Sequence, residues 1–381
     1  MKPVFGIKTT EIYLDNAATT MIDPDVVDAM RPYIEENYGN PETLYHLGLQ
    51  AKEAVDTARG QIAELLDCPP ERVFFTSGGT ESNNWALKGF PGRRILISAI
   101  EHPSVTKSAE AAPCCHLVIP VDATGLLKMD ALEKALTPDQ LSLVSVQYAN
   151  NVIGTIQPIK DIAALVHAKG AIFHVDAVQA FGKIPVYPEV EGIDLLSVSA
   201  HKIHGPMGVG ALYVSKDVKL EPMIHGGPQE NGMRAGTTPV HQVVGFGAAA
   251  EIARCTMKTE EPRQRQLVSR LATSLAEMAG GVRNGHPEKT LPNILNVRFP
   301  TVDAAMLAAT LNKEFGVCVA CGAACSRGKP SSVLKALGQD DMQASRAIRI
   351  SISRYTTEEQ VQFLSGCIQA AIRLALEKSA L

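Results

Sequence analysis

From about residue 50 the chain alternates amphipathic helical stretches with short apolar runs, and this alternation restricts the fold more than any single residue. "LQAKEAVDTARGQIAELLD" (49–67) has helical spacing and "RVFFTS" (72–77) reads as a strand. The same pairing recurs in "TESNNWALKGF" (80–90) with "RRILIS" (93–98), and in "LSLVSVQYA" (141–149), "IKDIAALVHAKG" (159–170) and "AIFHVDAV" (171–178). Strands separated by helices of this length predict parallel βαβ units with right-handed crossovers, an α/β fold. In such sheets ligands sit outside the carboxyl ends of the strands. After about residue 255 the pattern changes to a long helix, "NILNVRFP" (293–300), "DAAMLAATLNKEFG" (303–316), "SRAIRISIS" (345–353) and a last helix from Thr357, a smaller α+β unit.

Several strand ends carry chemistry. "IDLLSVS" (193–199) and "GVGALYV" (208–214) read as strands flanking Lys202, which therefore stands on a tight connection at the mouth of a sheet. A lysine normally belongs on a wet surface. "FFTSGGTESNNWAL" (74–87) runs from a strand through two glycines into a helix, whose first N–H groups and Thr80 hydroxyl can hold a phosphate. The plainer alternative is that Ser77 or Thr80 only caps the helix. Asp176 ends another strand, with Gln179 just beyond, and a carboxylate there needs a cation or hydrogen bonds. A structural salt bridge would satisfy it equally. Glu101-His102-Pro103 and Asn150-Asn151 end two more strands, where a lone histidine or paired asparagines ordinarily serve a turn. Taken together, a lysine, a carboxylate and a phosphate-holding helix start are what pyridoxal phosphate requires: the lysine forms a Schiff base and the carboxylate keeps the ring nitrogen protonated. Desolvation of the lysine would lower its pKa and favour its use as nucleophile and base.

The formal charge of −4 gives no electrostatic case for nucleic acid or an acidic membrane. "MKPVFGIKTT" lacks the apolar core of a signal peptide, and the long uncharged run 141–159 is broken by polar residues and Pro158. These features predict a soluble, cytoplasmic protein. The 8 cysteines then argue against a disulfide framework. Three of them crowd into "VCVACGAACS" (317–326), as Cys318, Cys321 and Cys325.

With these residues assembled, the chain resembles the fold-type I pyridoxal-phosphate enzymes, and more narrowly the cysteine desulfurases of the NifS/IscS type. The resemblance rests on "YLDNAATT", "YGNPETLYHLG", "FTSGGTESNN", "EHPSV", "NNVIGT", "HVDAVQAFGK", "SAHKIHGPMGVGALYV", "GGPQENGMRAGTTPVHQVVGFG" and "SSVLKALG", spread from one end of the chain to the other. It implies a large domain (14–254) with a mainly parallel sheet flanked by helices, and a small domain (1–13 and 255–381) carrying a cysteine loop at 318–330. It further implies pyridoxal 5'-phosphate linked to Lys202, with His102 stacked on the ring, Asp176 on the ring nitrogen and Gln179 on the ring oxygen. Gly79, Thr80, Ser199 and His201 would hold the phosphate, and Thr237 would reach the phosphate of a second subunit, which implies a homodimer. Asn151 and Arg349 would grip the carboxylate of the L-cysteine substrate, an Arg fork being suited to that task. Cys325 would take the sulfur as a persulfide and pass it to an acceptor protein.

Four departures from that family stand out. Cys321 replaces a serine and Cys318 adds a thiol; the loop after Cys325 is about two residues shorter; Asn231 stands where an arginine is common; Ser353 stands where a glycine is usual. Cys318 reads as a buried small hydrophobe, and Cys321 as a thiol that resolves the Cys325 persulfide or forms a regulatory disulfide. No histidine lies near the cluster in sequence to complete a metal site, and no metal is expected. Other class-V chemistries, including transamination, kynureninase-like hydrolysis and selenocysteine lysis, and a non-catalytic scaffold remain as alternatives. The Lys202, Asp176 and Cys325 set weighs against the scaffold.

Overall fold

The computed structural model describes residues 11–137, 140–321 and 331–379. Its central sheet has seven strands: β2 (Val73–Thr76), β3 (Arg94–Ser98), β4 (His116–Ile119), β5 (Ser142–Gln147), β6 (Ile172–Asp176), β7 (Leu195–Ser199) and β8 (Gly210–Val214), in the order β2-β8-β7-β6-β5-β3-β4. A two-residue strand, β1 (Ile12–Tyr13), precedes them and pairs in parallel with β11 (Val317–Cys318). A second, antiparallel sheet takes the order β12-β13-β10-β9, from β9 (Val282–Asn284), β10 (Ile294–Arg298), β12 (Ala320–Cys321) and β13 (Ala347–Ser351). No helix among the described residues is long and apolar enough to cross a membrane.

The run β7-β6-β5-β3-β4 is parallel throughout, as the alternation predicts, whereas β8 is antiparallel to both of its neighbours. The connection from Ser199 to Gly210 is too short for a helical crossover, so the chain turns back instead. His204 makes that turn with a left-handed φ of 68°. Because two reversals restore direction, β2 points the same way as β7. The carboxyl ends of β2, β3, β5, β6 and β7 therefore share one edge.

Strands β5 and β7 are buried along their whole length, and two of their serines are bonded across the sheet. His174 on β6 bonds Ser145 on β5 at 2.8 Å and Ser197 on β7 at 2.9 Å. Burial pushes its imidazole down to about 3, so it bridges the strands in the neutral form. Outside the sheet, helix His46–Leu66 buries Ala51, Val55, Ala58 and Ile62 on one face. That face packs on helix Val240–Ala279, where a Cβ added at Gly247 would come within 2.6 Å of Ala58 Cα. The 40-residue helix continues unbroken past residue 255. Its first half contributes Val243, Phe246 and Ala250 to the core around the large sheet, and its second half contributes Leu267, Leu271 and Leu275 to the core under the second sheet.

At the shared edge, two contacts fix the loops. A Cβ at Gly210 would lie 2.6 Å from Val198 O and 2.7 Å from Gly78 Cα, so the glycine turn after β2 rests directly on β8. Glu101, fully buried just past β3, accepts from Ser98 Oγ and from Gln147 N at 2.9 Å, tying β3 to β5. Burial raises its carboxyl from the usual 4.5 to about 8, with Asp176 opposing ionisation further.

Gly210→Ala is expected to cost about 1–3 kcal/mol through overpacking, read as a lowered urea midpoint; an unchanged midpoint would show that the turn does not rest on β8. Glu101 gives a pH signature. The folded state keeps this proton where the unfolded chain has lost it, so its stabilisation is full below the ordinary value of 4.5 and is lost as pH rises through about 8. Relative to Glu101→Gln, the wild type should lose stability across that window by at most about 1.4 kcal/mol per pH unit. Parallel pH–stability curves for the two proteins would contradict the assignment.

Candidate active site

One cavity of about 370 Å3 at the shared strand edge is lined by Gly79, Thr80, His102, Asn151, Asp176, Gln179, Ser199, His201, Lys202 and Arg349, ten of the residues expected from sequence. Thr237 is exposed and lies apart, in a neighbouring cavity of about 140 Å3 with Ser77, Glu230 and Arg234. Cys325 lies outside the described residues.

Each side chain owes its place to a strand end. Asp176 closes β6 and is buried, with Oδ2 accepting from Asn83 Nδ2 at 2.8 Å and Oδ1 from Val178 N at 3.0 Å. Neutral N–H groups thus hold this carboxylate in orientation. Asn83 sits one turn into helix Gly79–Lys88 and also donates to Ser104 Oγ at 2.8 Å. Ser104 in turn meets His102 Nδ1, by its hydroxyl at 2.8 Å and by its backbone N–H at 3.1 Å. His102 caps helix Pro103–Ala111 through that bond, so the capping role and the site role coincide. Nδ1 accepts the backbone N–H, which leaves the proton of the neutral ring on Nε2. Desolvation at the cavity wall pushes the imidazole's pKa down, Asp176 opposes this and Lys202 adds to it.

The helix start at Gly79 stands against the end of β7. A Cβ on Gly79 would come within 2.7 Å of Val178 Cγ2, so a glycine is needed for this close approach. Thr80 lies in the same first turn, and Ser199 and His201 face it across the cavity. Burial and the Lys202 and Lys183 cations push His201 down to about 4, leaving a neutral ring beside a helix N-terminus. Hydroxyls, a neutral imidazole and free helix N–H groups form an anion cradle. Lys202 donates to Ala17 O at 2.7 Å and Ala18 O at 2.6 Å. Arg349 comes from β13 of the second sheet, is buried, and donates to Asn151 O at 2.9 Å and to Asp15. Its Nε is buried without a hydrogen-bond partner among the described residues. An amine, a fixed carboxylate, a neutral imidazole and an anion cradle around one cavity fit the donor set that pyridoxal phosphate demands.

Sequence reasoning assigned no role to Asn83, Ser104, Glu101 or residues 14–20. The signal for the last was present: "YLDNAATT" is a polar, small-residue stretch beside an apolar strand, as a segment threaded through a site must be. Asn231 has a left-handed φ of 56°, a conformation asparagine tolerates well. Cys318 is partly exposed rather than buried, since β11 pairs only with the short β1; Asn312 Nδ2 donates to its sulfur at 3.3 Å. Cys321 is also partly exposed, opposite Ile348 on β13.

The aminotransferase class-V profile matches residues 12–364. A protein named cysteine desulfurase from Nostoc sp. is 42% identical over 92% of this chain and 90% of its own length. A cysteine desulfurase IscS from Methanosarcina thermophila is 40% identical over 92% of this chain and 89% of its own. Among solved structures, a NifS-like protein superposes with a TM-score of 0.89 at 37% identity, covering 96% of this chain and 100% of that one. The structure of SspA in complex with cysteine gives a TM-score of 0.79 at 31% identity, covering 91% of this chain and 99% of that one. On this match of sequence and fold over nearly its whole length, the chain belongs to the aminotransferase class-V family.

Proposed function

We propose that the protein is a pyridoxal 5'-phosphate-dependent cysteine desulfurase that converts L-cysteine to L-alanine and retains the sulfur as a persulfide. The observation that carries this reading is the convergence of Lys202, Asp176 and His102 under Arg349 in one cavity of a chain so close to named desulfurases. When bound, the cofactor supplies an electron sink that loosens bonds at the substrate's alpha carbon. The chain supplies the rest. Lys202 would hold the cofactor through its Nζ and, at the same atom, take the alpha proton of the substrate. Asp176, fixed by Asn83 and Val178, keeps the ring nitrogen protonated. His102 would lie against the ring, and Gly79, Thr80, Ser199 and His201 would hold the phosphate. Arg349, with Asn151, grips the substrate carboxylate, a role supported by the place of both in the cavity lining. Cys325, assigned from its place in the sequence, attacks the substrate sulfur; the S–S bond forms as the C–S bond breaks, and the electron pair stays with carbon.

The same reading makes residues 14–254 a cofactor-binding domain and residues 1–13 with 255–381 a smaller domain carrying the cysteine loop, the two joined through the long helix. Thr237, exposed beside Arg234 and Ser77, serves the phosphate of a second subunit, so the working form is a homodimer. The persulfide passes to an acceptor protein in the cytoplasm.

Purified protein given L-cysteine should release alanine, and sulfide once reductant is added. Lys202→Ala should lower turnover about 100-fold or more and remove the visible absorbance of the bound cofactor. Cys325→Ser should abolish sulfide release yet keep the colour, whereas Cys321→Ser should retain turnover. Sulfide release by Cys325→Ser, with the added sulfur found on Cys321 by mass spectrometry, would move the nucleophile upstream. Sedimentation of active protein should show a dimer, and a fully active monomer would exclude the role given to Thr237.

A further inference from the structure

Lys183 closes "HVDAVQAFGK" and takes no part in the chemistry above. Its placement is nonetheless tightly specified. Gly182 before it has φ of 69°, and a Cβ there would come within 2.8 Å of Ile203 Cγ2 and 3.1 Å of Ala253 Cβ. The turn is therefore pressed between the Lys202 connection and the long helix, and it directs Lys183 back toward Gln179, four residues earlier. Lys183 Nζ donates to Gln179 Oε1 at 3.1 Å. Gln179 Nε2 donates to Ala17 O at 2.9 Å, the carbonyl that also takes Lys202 Nζ at 2.7 Å. An ammonium offers only donors and a carbonyl only lone pairs, so both partners demand the same orientation of the amide. One Nε2 hydrogen is spent on Ala17, and the other is left for the cavity that Gln179 lines.

We infer that Lys183 is a positioning residue, holding Gln179 so that an amide N–H rather than the amide oxygen is offered to the ring oxygen of pyridoxal phosphate. This rests on the cofactor reading above. The charged surroundings agree with a dedicated partner. Lys183 shares a small cavity with Lys202, His204, Glu260, Glu261 and Arg354, and Arg349 lies within electrostatic reach. Glu260 and Glu261 are held by Arg263 and Arg265 of their own helix, and Arg354 by Asp23. Burial, with Arg354, pushes His204 down to about 4. Burial and the Lys202 and Arg349 cations push the Lys183 amine down to about 7, and it keeps N–H donors in either protonation state.

A donor on the ring oxygen favours the deprotonated form of the bound cofactor, so losing the lock should raise the pH at which its visible band titrates. The experiment compares holoenzymes of wild type, Lys183→Met, Gln179→Leu and the double variant. Lys183→Met is expected to raise the midpoint by about 0.5–1 pH unit, the range a single hydrogen bond commands. The double variant should match Gln179→Leu alone, because the effect runs through Gln179. Lys183→Arg, which keeps the donor, should leave the midpoint close to that of the wild type. An unmoved midpoint in Lys183→Met overturns the inference. So does an equal extra shift on the Gln179→Leu background, which would make Lys183 a bare charge. Independently of how any variant folds, the Gln179 side-chain amide protons of the wild-type holoenzyme should be protected from exchange by NMR, and unprotected exchange overturns the lock. A wild type with no visible band, or borohydride trapping of the cofactor away from Lys202, overturns the cofactor reading and this inference together. A normal band with an unmoved Lys183→Met midpoint overturns only the latter.

Discussion

A lysine amine drawn into a cavity must find acceptors, and Lys202 finds them in the backbone carbonyls of Ala17 and Ala18. The segment that presents those carbonyls is fixed at both ends. Asn16 Nδ2 donates to Ser351 O at 2.8 Å and Ala17 N to Ser351 Oγ at 2.9 Å, on the side of the second sheet. Thr20 N donates to His201 O at 3.0 Å, and Thr20 Oγ1 accepts from His204 N at 2.8 Å, on the side of the large sheet. Residues 14–20 are thus a strap between the two cores. With Lys183, Lys202 and Arg349 close enough to act on one another electrostatically, the carbonyl dipoles of that strap offset part of the repulsion.

What could be read from sequence follows a physical divide. The helices and strands around the large sheet were legible because their cores are buried on a regular period, and their ends came within a few residues of expectation. The site residues at strand ends were legible because topology alone sends them to one edge. The reversal of β8 was not, since periodicity carries no direction and only the length of the Ser199–Gly210 connection distinguishes a turn from a crossover. Asn83 and Ser104 were hidden for another reason. They act by orienting Asp176 and His102, and a polar residue near a helix start looks the same in sequence whether it caps, orients or merely meets water.

The helix Val240–Ala279 shows how one element serves two hydrophobic cores. Sequence character shifts near residue 255 because the partners change, from the helix His46–Leu66 and the large sheet to the second sheet and the last helix. The helix itself has no reason to break there. Pro262 within it is accommodated without interrupting the helix. Arg349 reaches the cavity from the second core, so this rigid link helps set the distance between the groups on the two sheets.

The strap has a consequence in time. Its anchor at Ser351 is 335 residues away along the chain from Asn16. At roughly 5–20 residues per second of synthesis, tens of seconds separate the appearance of the two. The strands that position Asp176 and Lys202 can pair long before Ser351 exists, but the carbonyls that receive the lysine cannot be held from both sides until Ser351 has been made. Closing so long a loop also carries an entropic cost that no local contact repays. Until Ser351 is made, the N-terminal segment can therefore be held only from the side of the large sheet, and the site becomes complete later than the strands that carry most of its residues.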